Sequence, residues 1–467
     1  MDRRQFIKNL GLGAVTLSLT NGLSCIGKEK PVNVVLIVAD DQAYTDFGLA
    51  GHPLLKTPNL DRLTTEGVHF THAFSPNPIC TPSRAAILTG QGCWTNGCYF
   101  FGKPIKKSSV QFATLFREAG YETFYTGKWH NDRRPSKCGF TSGENIFVGG
   151  MNSIEKGGQA KPWVSDFGGG NKRQVDRFST SLFTDSAVRF LNNREPDDKP
   201  FLMYVSFTTP HDPWMPPGEY AHMYPEEKID LPKNFMPRPP FRWYTDWHGK
   251  NLRDEKQMPY PRTAGGVRDV RRRYFGTITH MDREIGRILT ALDNKNLTEN
   301  TLVIFIADHG ICVGAHGISG KQTLYEEGIR LPMILRFPKL KKDQQKNSRL
   351  VSLIDIYPTI CEAAGITVPD TIEGKSLLGL YRGEKNWDRE RIFTTFDSPT
   401  KHRWVIRSVR TKKYKFIRHY TTDEEELYDL ENDPYELLNL AGQKEYAALQ
   451  KQLAGELAEW RKIKEKI

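Results

Sequence analysis

The chain has 467 residues, 38% of them hydrophobic and 26% charged, with a formal net charge of +11. This composition is somewhat polar but globular and long enough for a large core, which excludes disordered, collagen-like and short-repeat chains. Beyond the N-terminus no run approaches the ~18 apolar residues of a membrane span, so an integral membrane protein is excluded apart from that first segment.

Residues 2–8 read Asp-Arg-Arg-Gln-Phe-Ile-Lys, and an apolar run, Leu10 to Leu19, follows. A charged start before an apolar stretch too short for a stop-transfer helix resembles a bacterial twin-arginine signal. The expectation is a signal segment over 1–30, a partner export machinery and a periplasmic protein. Cys25 follows Leu23-Ser24, which loosely resembles a lipoprotein processing site, although Gly22 stands where such sites usually carry Leu. A lipid anchor at Cys25 is the variant reading. The seven cysteines (25, 80, 93, 98, 138, 312 and 361) form an odd set, so at least one has another job than pairing. Cys93 and Cys98 are close enough in sequence to pair.

Val32 to Ala39 is a β-branched run and predicts a buried parallel strand. Thr57-Pro-Asn-Leu-Asp-Arg-Leu predicts a helix start, with Thr57 as cap and Pro58 in the first turn. Phe201–Thr208, Thr301–Ala307 and Met333–Phe337 read as further core strands. Ile278, Met281, Ile285, Leu289 and Leu292 recur at helical spacing. The alternation predicts an α/β fold: a large, mostly parallel sheet sandwiched by helices, with ligands at the carboxyl ends of the strands. Pro210 to Pro261, rich in Pro, Trp and Tyr, reads as a long insertion over one rim.

Past about residue 365 the pattern changes. Trp404–Val409 and Lys413–Ile417 predict antiparallel strands, and Tyr446–Lys464 a closing helix. The expected division is a catalytic α/β domain over 31–375 and a smaller α+β domain over 376–467. Lys401 to His419 holds eight basic residues and no acid, while Asp423 to Glu436 holds eight acids. Such neighbours compensate each other on adjacent strands. Without a zinc-finger, basic-zipper or RNA-recognition signature, nucleic acid is not expected as a partner.

Asp40-Asp41 and Asp308-His309-Gly310 each end an apolar strand. Two acidic pairs at the same sheet edge favour a hard divalent cation such as Ca²⁺, although imidazole suits softer metals better. In Cys80-Thr81-Pro82-Ser83-Arg84, Pro82 suits a first helical turn, and so Cys80 stands at a helix N-terminus that favours anions or a thiolate. Three readings stay open: an inert buried thiol, a nucleophile, or the precursor of a modified residue.

Cys80-Thr-Pro-Ser-Arg84 followed by Leu-Thr-Gly resembles the signature of type I sulfatases in the alkaline phosphatase superfamily. The resemblance runs through roughly residues 31–441. It takes in Asp40-Asp41, Thr57-Pro-Asn-Leu-Asp-Arg-Leu, Gly67-Val-His-Phe, Gly127-Lys128-Trp129-His130, Pro210-His211, Asp308-His309-Gly310 and Gly320-Lys321. It continues through Leu427-Tyr-Asp-Leu and Asp433-Pro-Tyr-Glu. It implies that a formylglycine-generating maturation enzyme oxidises Cys80 to Cα-formylglycine. It also implies that Asp40, Asp41, Asp308, His309 and the modified Cys80 contact one Ca²⁺. Arg84 and Lys128 would hold formylglycine and sulfate oxygens. His130, His211 and Lys321 would handle protons and leaving-group charge.

By the same resemblance, one hydroxyl of the aldehyde hydrate attacks sulfur, His211 with Lys321 protonates the departing alkoxide, and His130 helps expel sulfate. The expected substrate is a sulfate ester on a carbohydrate, with sugar and position left open. A phosphonate monoester hydrolase or phosphodiesterase is the alternative enzyme, and a silent glycan-binding protein the alternative class. His316 and Trp214 are candidate substrate contacts, set against roles in a turn and in rim packing. His52, His69 and His72 are expected to be structural.

Overall fold

The computed structural model describes residues 30–151, 154–241, 253–398 and 404–466. The signal-segment and Cys25 expectations lie outside the described residues. Residues Val32–Ile467 pack as one compact unit, which contains both sheets described below. Among the described residues no helix is long and apolar enough to cross a membrane.

The main sheet has eight strands in the order Lys346–Asn347, Val68–Phe70, Met333–Arg336, Thr301–Ala307, Asn33–Asp40, Phe201–Pro210, Glu122–Lys128, Ser142–Phe147. Asn33–Asp40 runs parallel to both its neighbours, and the pairs on to Ser142–Phe147 are parallel too. Met333–Arg336 is antiparallel to both strands beside it. The sheet is therefore mixed and mostly parallel, as the sequence predicts. Every residue of Asn33–Asp40, Phe201–Pro210 and Thr301–Ala307 is buried, because helices cover the sheet and no polar face is needed. Helices Pro58–Glu66, Ser179–Asn192 and Ala264–Asn294 pack together as one group, and Cys80–Thr89, Phe112–Glu118 and Ile356–Ala364 as another. In Ala264–Asn294 the predicted apolar stripe, Ile278 to Leu292, is buried throughout.

Thr57 does not cap the helix it precedes. Its hydroxyl accepts instead from Gly48 N at 2.8 Å. The exposed N–H groups of Asn59 and Leu60 go to the Asp282 carboxylate at 3.1 and 2.7 Å. A carboxylate on a packed helix does there what a local side chain was expected to do.

The second sheet is antiparallel: Ile392–Asp397, Val405–Arg410, Tyr414–His419 and Glu424–Asp429 in that order, with helix Ala447–Glu465 against its middle strands. The basic and acidic stretches face each other on its last hairpin. Arg418 pairs with Asp423 and Glu425, Lys413 with Glu431 at 3.3 Å, and Lys415 with Glu436 at 2.5 Å. The two stretches thus neutralise each other locally, and the net charge of +11 belongs to the rest of the chain.

Candidate active site

The carboxyl ends of the central strands build the site. Asp40 closes its strand, and Asp41 follows with φ 70°, a left-handed conformation uncommon for a non-glycine residue. Asp308 follows the neighbouring strand, and its backbone N donates to Ala39 O at 3.1 Å. The Asp308 carboxylate in turn accepts from the backbone N of Asp41 at 3.2 Å and of His309 at 3.0 Å. The two strand ends are latched together, and the carboxylates of Asp40, Asp41 and Asp308 lie within 4.8 Å of one another, fully buried.

Cys80 is the first residue of helix Cys80–Thr89, which is buried along its whole length. Its Sγ lies 3.2 Å from His309 Nε2, 3.4 Å from Asp40 Oδ1, 3.6 Å from both Lys128 Nζ and Lys321 Nζ, and 4.0 Å from Asp41 Oδ1. Arg84 stands one helical turn on, on the same face. Its Nε donates to Asp308 Oδ2 at 2.9 Å, Nη2 to Asp40 Oδ1 at 3.2 Å, and Nη1 to Ser206 Oγ at 2.5 Å and to Lys128 O at 3.2 Å. Lys128 Nζ meets Asp40 Oδ2 at 2.5 Å, and Lys321 Nζ meets Asp41 Oδ2 at 2.5 Å.

A bulge aims Lys128. The register of Glu122–Lys128 slips between Thr126 and Gly127, where Gly127 has φ 101°. A Cβ on Gly127 would fall 1.8 Å from Ser206 O, so only glycine permits this approach. At Gly310, a Cβ would fall 2.0 Å from Glu327 O, which lets the segment after His309 close against the chain beyond Lys321.

Three buried carboxylates face three buried cations. Burial alone would raise the Asp40 carboxyl, but Lys128, His211 and Arg84 hold it well below the ordinary range. Burial would lower Lys321, yet Asp41 together with Cys80, Asp254 and Asp40 keeps it well above. Burial pushes the Cys80 thiol well up, and Lys128 and Lys321 only partly offset this, so the unmodified sulfur is not an activated thiolate.

The donor set fits a divalent cation. His309 Nδ1 faces Gly310 O at 3.0 Å, so it carries the proton, and the Nε2 lone pair points at Cys80 Sγ and, at 3.4 Å, at Asp41 Oδ1. A histidine oriented by a carbonyl, beside three converging carboxylates, is an arrangement that holds a metal. Such an ion would add two positive charges to a cluster whose acids and bases otherwise cancel, and the surplus suits a sulfate ester.

The two histidines beside Lys128 and Asp41 differ in state. His130 has φ 51°, and its Nδ1 is buried without a protein partner. Burial, then Lys128 and Arg84, lower its pKa well below the ordinary value, so it is neutral. His211 Nδ1 faces Asp212 Oδ1 at 2.9 Å, and its Nε2 lies 3.7 Å from Asp41 Oδ2. Burial lowers its pKa, but Asp41, Asp212 and Asp40 together outweigh that and raise it, so this ring holds its proton more firmly. Arg253 donates to Asp212 at 2.6 and 3.1 Å. The sequence analysis missed Asp212, Arg253 and Ser206. Only Asp212, next to His211, left a local signal.

Cys80, Arg84, Lys128, His130, His211, Lys321, Asp40, Asp41, Asp308 and His309 therefore share one region. His316 and Trp214 do not offer themselves to a substrate. His316 is fully buried, stacked on Tyr325 at 3.9 Å, with Nε2 2.9 Å from Asn234 Nδ2, and burial pushes it down to about 3. Trp214 is 2% exposed, with its Nε1 donating to Pro210 O at 2.8 Å and its ring against Tyr274, so no sugar can stack on it. His52 and His69 pack against Phe275 and Phe47, and the His72 Nδ1 meets Thr71 Oγ1 at 3.0 Å, in structural settings. Cys93 and Cys98 are both buried free thiols.

Comparison with known proteins agrees with this geometry. The family model described as Sulfatase matches residues 32–366, and one described as N-sulphoglucosamine sulphohydrolase, C-terminal, matches 314–463. An N-acetylglucosamine-6-O-sulfatase of Bacteroides thetaiotaomicron is 29% identical, covering 97% of this chain and 90% of its own. An ulvan-active sulfatase of Formosa agariphila is 31% identical, covering 95% and 85%. A solved structure of a protein in complex with its substrate D-glucosamine-2-N,6-O-disulfate superposes with TM-score 0.79 at 28% identity, over 94% of this chain and 99% of that one. The same fold recurs at 24% identity and TM-score 0.77 in the phosphonate monoester hydrolase of Agrobacterium radiobacter. With the matched model spanning most of the chain and the relatives aligned nearly end to end, this chain belongs to the sulfatase family and is a sulfuric ester hydrolase.

Proposed function

We propose that this protein hydrolyses O-sulfate esters of carbohydrates, with Cys80 matured to Cα-formylglycine and one Ca²⁺ held by Asp40, Asp41, Asp308 and His309. The observation that carries the reading is the position of Cys80 Sγ, which stands in for the matured group. It lies 3.2–4.0 Å from His309, Asp40, Lys128, Lys321 and Asp41, where the sheet edge, the helix start and both lysines meet. The hydrated aldehyde supplies a nucleophilic oxygen, and the cation supplies charge for the sulfate oxygens.

The chain's own residues do the rest. Arg84, Lys128 and Lys321 are preorganised and shielded from water, so they neutralise sulfate oxygens at little reorganisation cost. His211, oriented by Asp212, holds a proton at Nε2 for the departing alkoxide; acid help of this kind is worth ~10²–10⁴-fold. Neutral His130 accepts a proton at its unpartnered Nδ1. The carbohydrate assignment draws support from the two similar sulfatases named for N-acetylglucosamine and ulvan and from the similar structure in complex with D-glucosamine-2-N,6-O-disulfate. The Arg3-Arg4 start and the apolar run Leu10 to Leu19 support export through the twin-arginine machinery to the periplasm, after maturation in the cytoplasm.

Peptide mass spectrometry across residues 78–84, paired with turnover of aryl sulfate, sulfated sugars and a phosphodiester, tests the reading. The expected result is the aldehyde at Cys80 and preference for sulfate. An unmodified cysteine in fully active protein would refute the maturation, and phosphodiester preference by orders of magnitude would refute the substrate class. Calcium titration into chelated protein should raise Tm independently of turnover; no shift would refute the metal assignment.

A further inference from the structure

One aromatic ring is left half out of the core beside the acid–base machinery. Phe101 is 49% exposed, and its ring meets the His130 ring edge-on at 5.4 Å and 66°. Phe101 and Trp163 are the aromatic rings among the exposed large apolar side chains of the described residues, and of the two Phe101 is the one in ring contact with a site residue.

The ring is held, not loose. Lys103 N donates to Phe100 O at 3.2 Å, closing a turn around Phe101, and Gly102 at φ 79° has no neighbour within 4 Å of a Cβ position, so the turn faces open space. The base of the turn is fixed by Tyr99, which stacks on Trp94 at 4.1 Å and 7°. Tyr99 O also accepts from the side chain of buried Asn77 at 3.3 Å, three residues before Cys80. The other side of His130 is closed by Gly150, where a Cβ would fall 2.8 Å from His130 Nε2. Phe101 is thus tied to Cys80 through one segment and to Lys128 through His130.

We propose that Phe101 is a substrate-contact residue that stacks on the apolar face of the pyranose bearing the sulfate ester. This rests on the carbohydrate-sulfatase reading and deepens it. A sugar ring presents a flat patch of C–H groups, and the negative face of an aromatic ring attracts their partial positive charge. A single preorganised ring suits one pyranose, where a long alkyl chain would call for a groove. The ring enforces no hydrogen-bond pattern, so it selects for a ring-shaped leaving group, and the identity of its hydroxyls is read elsewhere.

The test uses the matured full-length enzyme with its metal. Wild type, Phe101→Ala and Phe101→Trp are compared on the best hydrolysed member of a panel of galactose, glucosamine and N-acetylgalactosamine O-sulfates, and on 2-hydroxyethyl sulfate, which also leaves as an alkoxide but has no ring face. Phe101→Ala should lose roughly 10-fold more kcat/KM on the sugar than on 2-hydroxyethyl sulfate, chiefly through KM, as expected for one aromatic contact. Phe101→Trp should restore the sugar activity. Equal losses on both substrates would assign Phe101 to holding the His130 ring and overturn the proposal, as would an unaffected sugar activity. Wild-type hydrolysis of 2-hydroxyethyl sulfate but of no sugar sulfate would overturn the stacking together with the carbohydrate assignment, and verified aldehyde with no sulfate turnover at all would overturn the function itself.

Discussion

Replacing Lys415 by methionine removes one charge from a buried ion cluster that joins the C-terminal sheet to the active-site segment. Lys415 is fully buried, with Nζ 2.5 Å from Glu436 Oε1 and 3.3 Å from Glu326 Oε1. Glu326 keeps Arg410 at 3.3 Å and Arg330 at 3.5 Å, but among the described residues Lys415 is the cation paired with Glu436. Methionine preserves most of the stem and removes the ammonium, so the cost is that of the buried hydrogen bonds a charged donor makes to Glu436 and Glu326, ~1.5–3 kcal/mol. With an unfolding entropy of about 2.1 cal/mol/K per residue, a unit of this size has roughly 0.9 kcal/mol/K, and Tm should fall by about 2–3 °C. Glu436→Gln alone should cost less, because burial, together with Glu326 and Glu327, pushes Glu436 up to about 8 despite Lys415, leaving it largely protonated at neutral pH. In the double variant the loss should be smaller than the sum by ~1–2 kcal/mol, since the contact between Lys415 and Glu436 is lost only once. Thermal and urea unfolding of the three variants measure this cycle. A Lys415→Met Tm within about 1 °C of wild type, or strict additivity, would refute the reasoning.

The same cluster sets a pH dependence. Glu436 goes from an ordinary 4.5 to about 8 in the folded protein, so the folded state binds this proton more tightly. Its contribution is fully present below about pH 4.5 and is lost as pH rises through about 8, at no more than ~1.4 kcal/mol per pH unit. Urea unfolding between pH 5 and 9 should show this decline, and Glu436→Gln should flatten it. Gly127→Ala should lower both stability and kcat, because its Cβ would fall 1.8 Å from Ser206 O and displace Lys128 and the Arg84 partner together; a fully active, equally stable variant would show that the bulge is not needed. Lys128→Met should reduce kcat by ~10²–10³-fold with a smaller change in KM, as for loss of one preorganised charge in a shielded site. Steady-state kinetics on an aryl sulfate checks this, and a pure KM effect would assign Lys128 to ground-state binding.

Apolar runs ending in acids marked the central strands and the metal-ligand candidates, because a strand buried on both faces is uniformly hydrophobic and its first polar residue shows where it leaves the core. Cys80 and Arg84 were legible for a similar reason: one helical turn separates them, and proline marks the start. The charge-rich hairpin was legible too, since opposite blocks separated by only three residues, 420–422, pair naturally across a turn. What the sequence could not settle was anything decided by a distant partner. Asp282 caps a helix 223 positions away in sequence, and Arg253 holds Asp212, the neighbour of His211, from 41 positions away. Trp214 packs against Tyr274 and His316 takes a hydrogen bond from the Asn234 amide, partners distant in sequence. Phe101 reads like many other aromatic residues in the chain, and only folding leaves it exposed against His130. Local patterns determine which segments are buried and which turns carry polar groups; which polar groups then meet depends on the packing of remote elements, and no local periodicity encodes that.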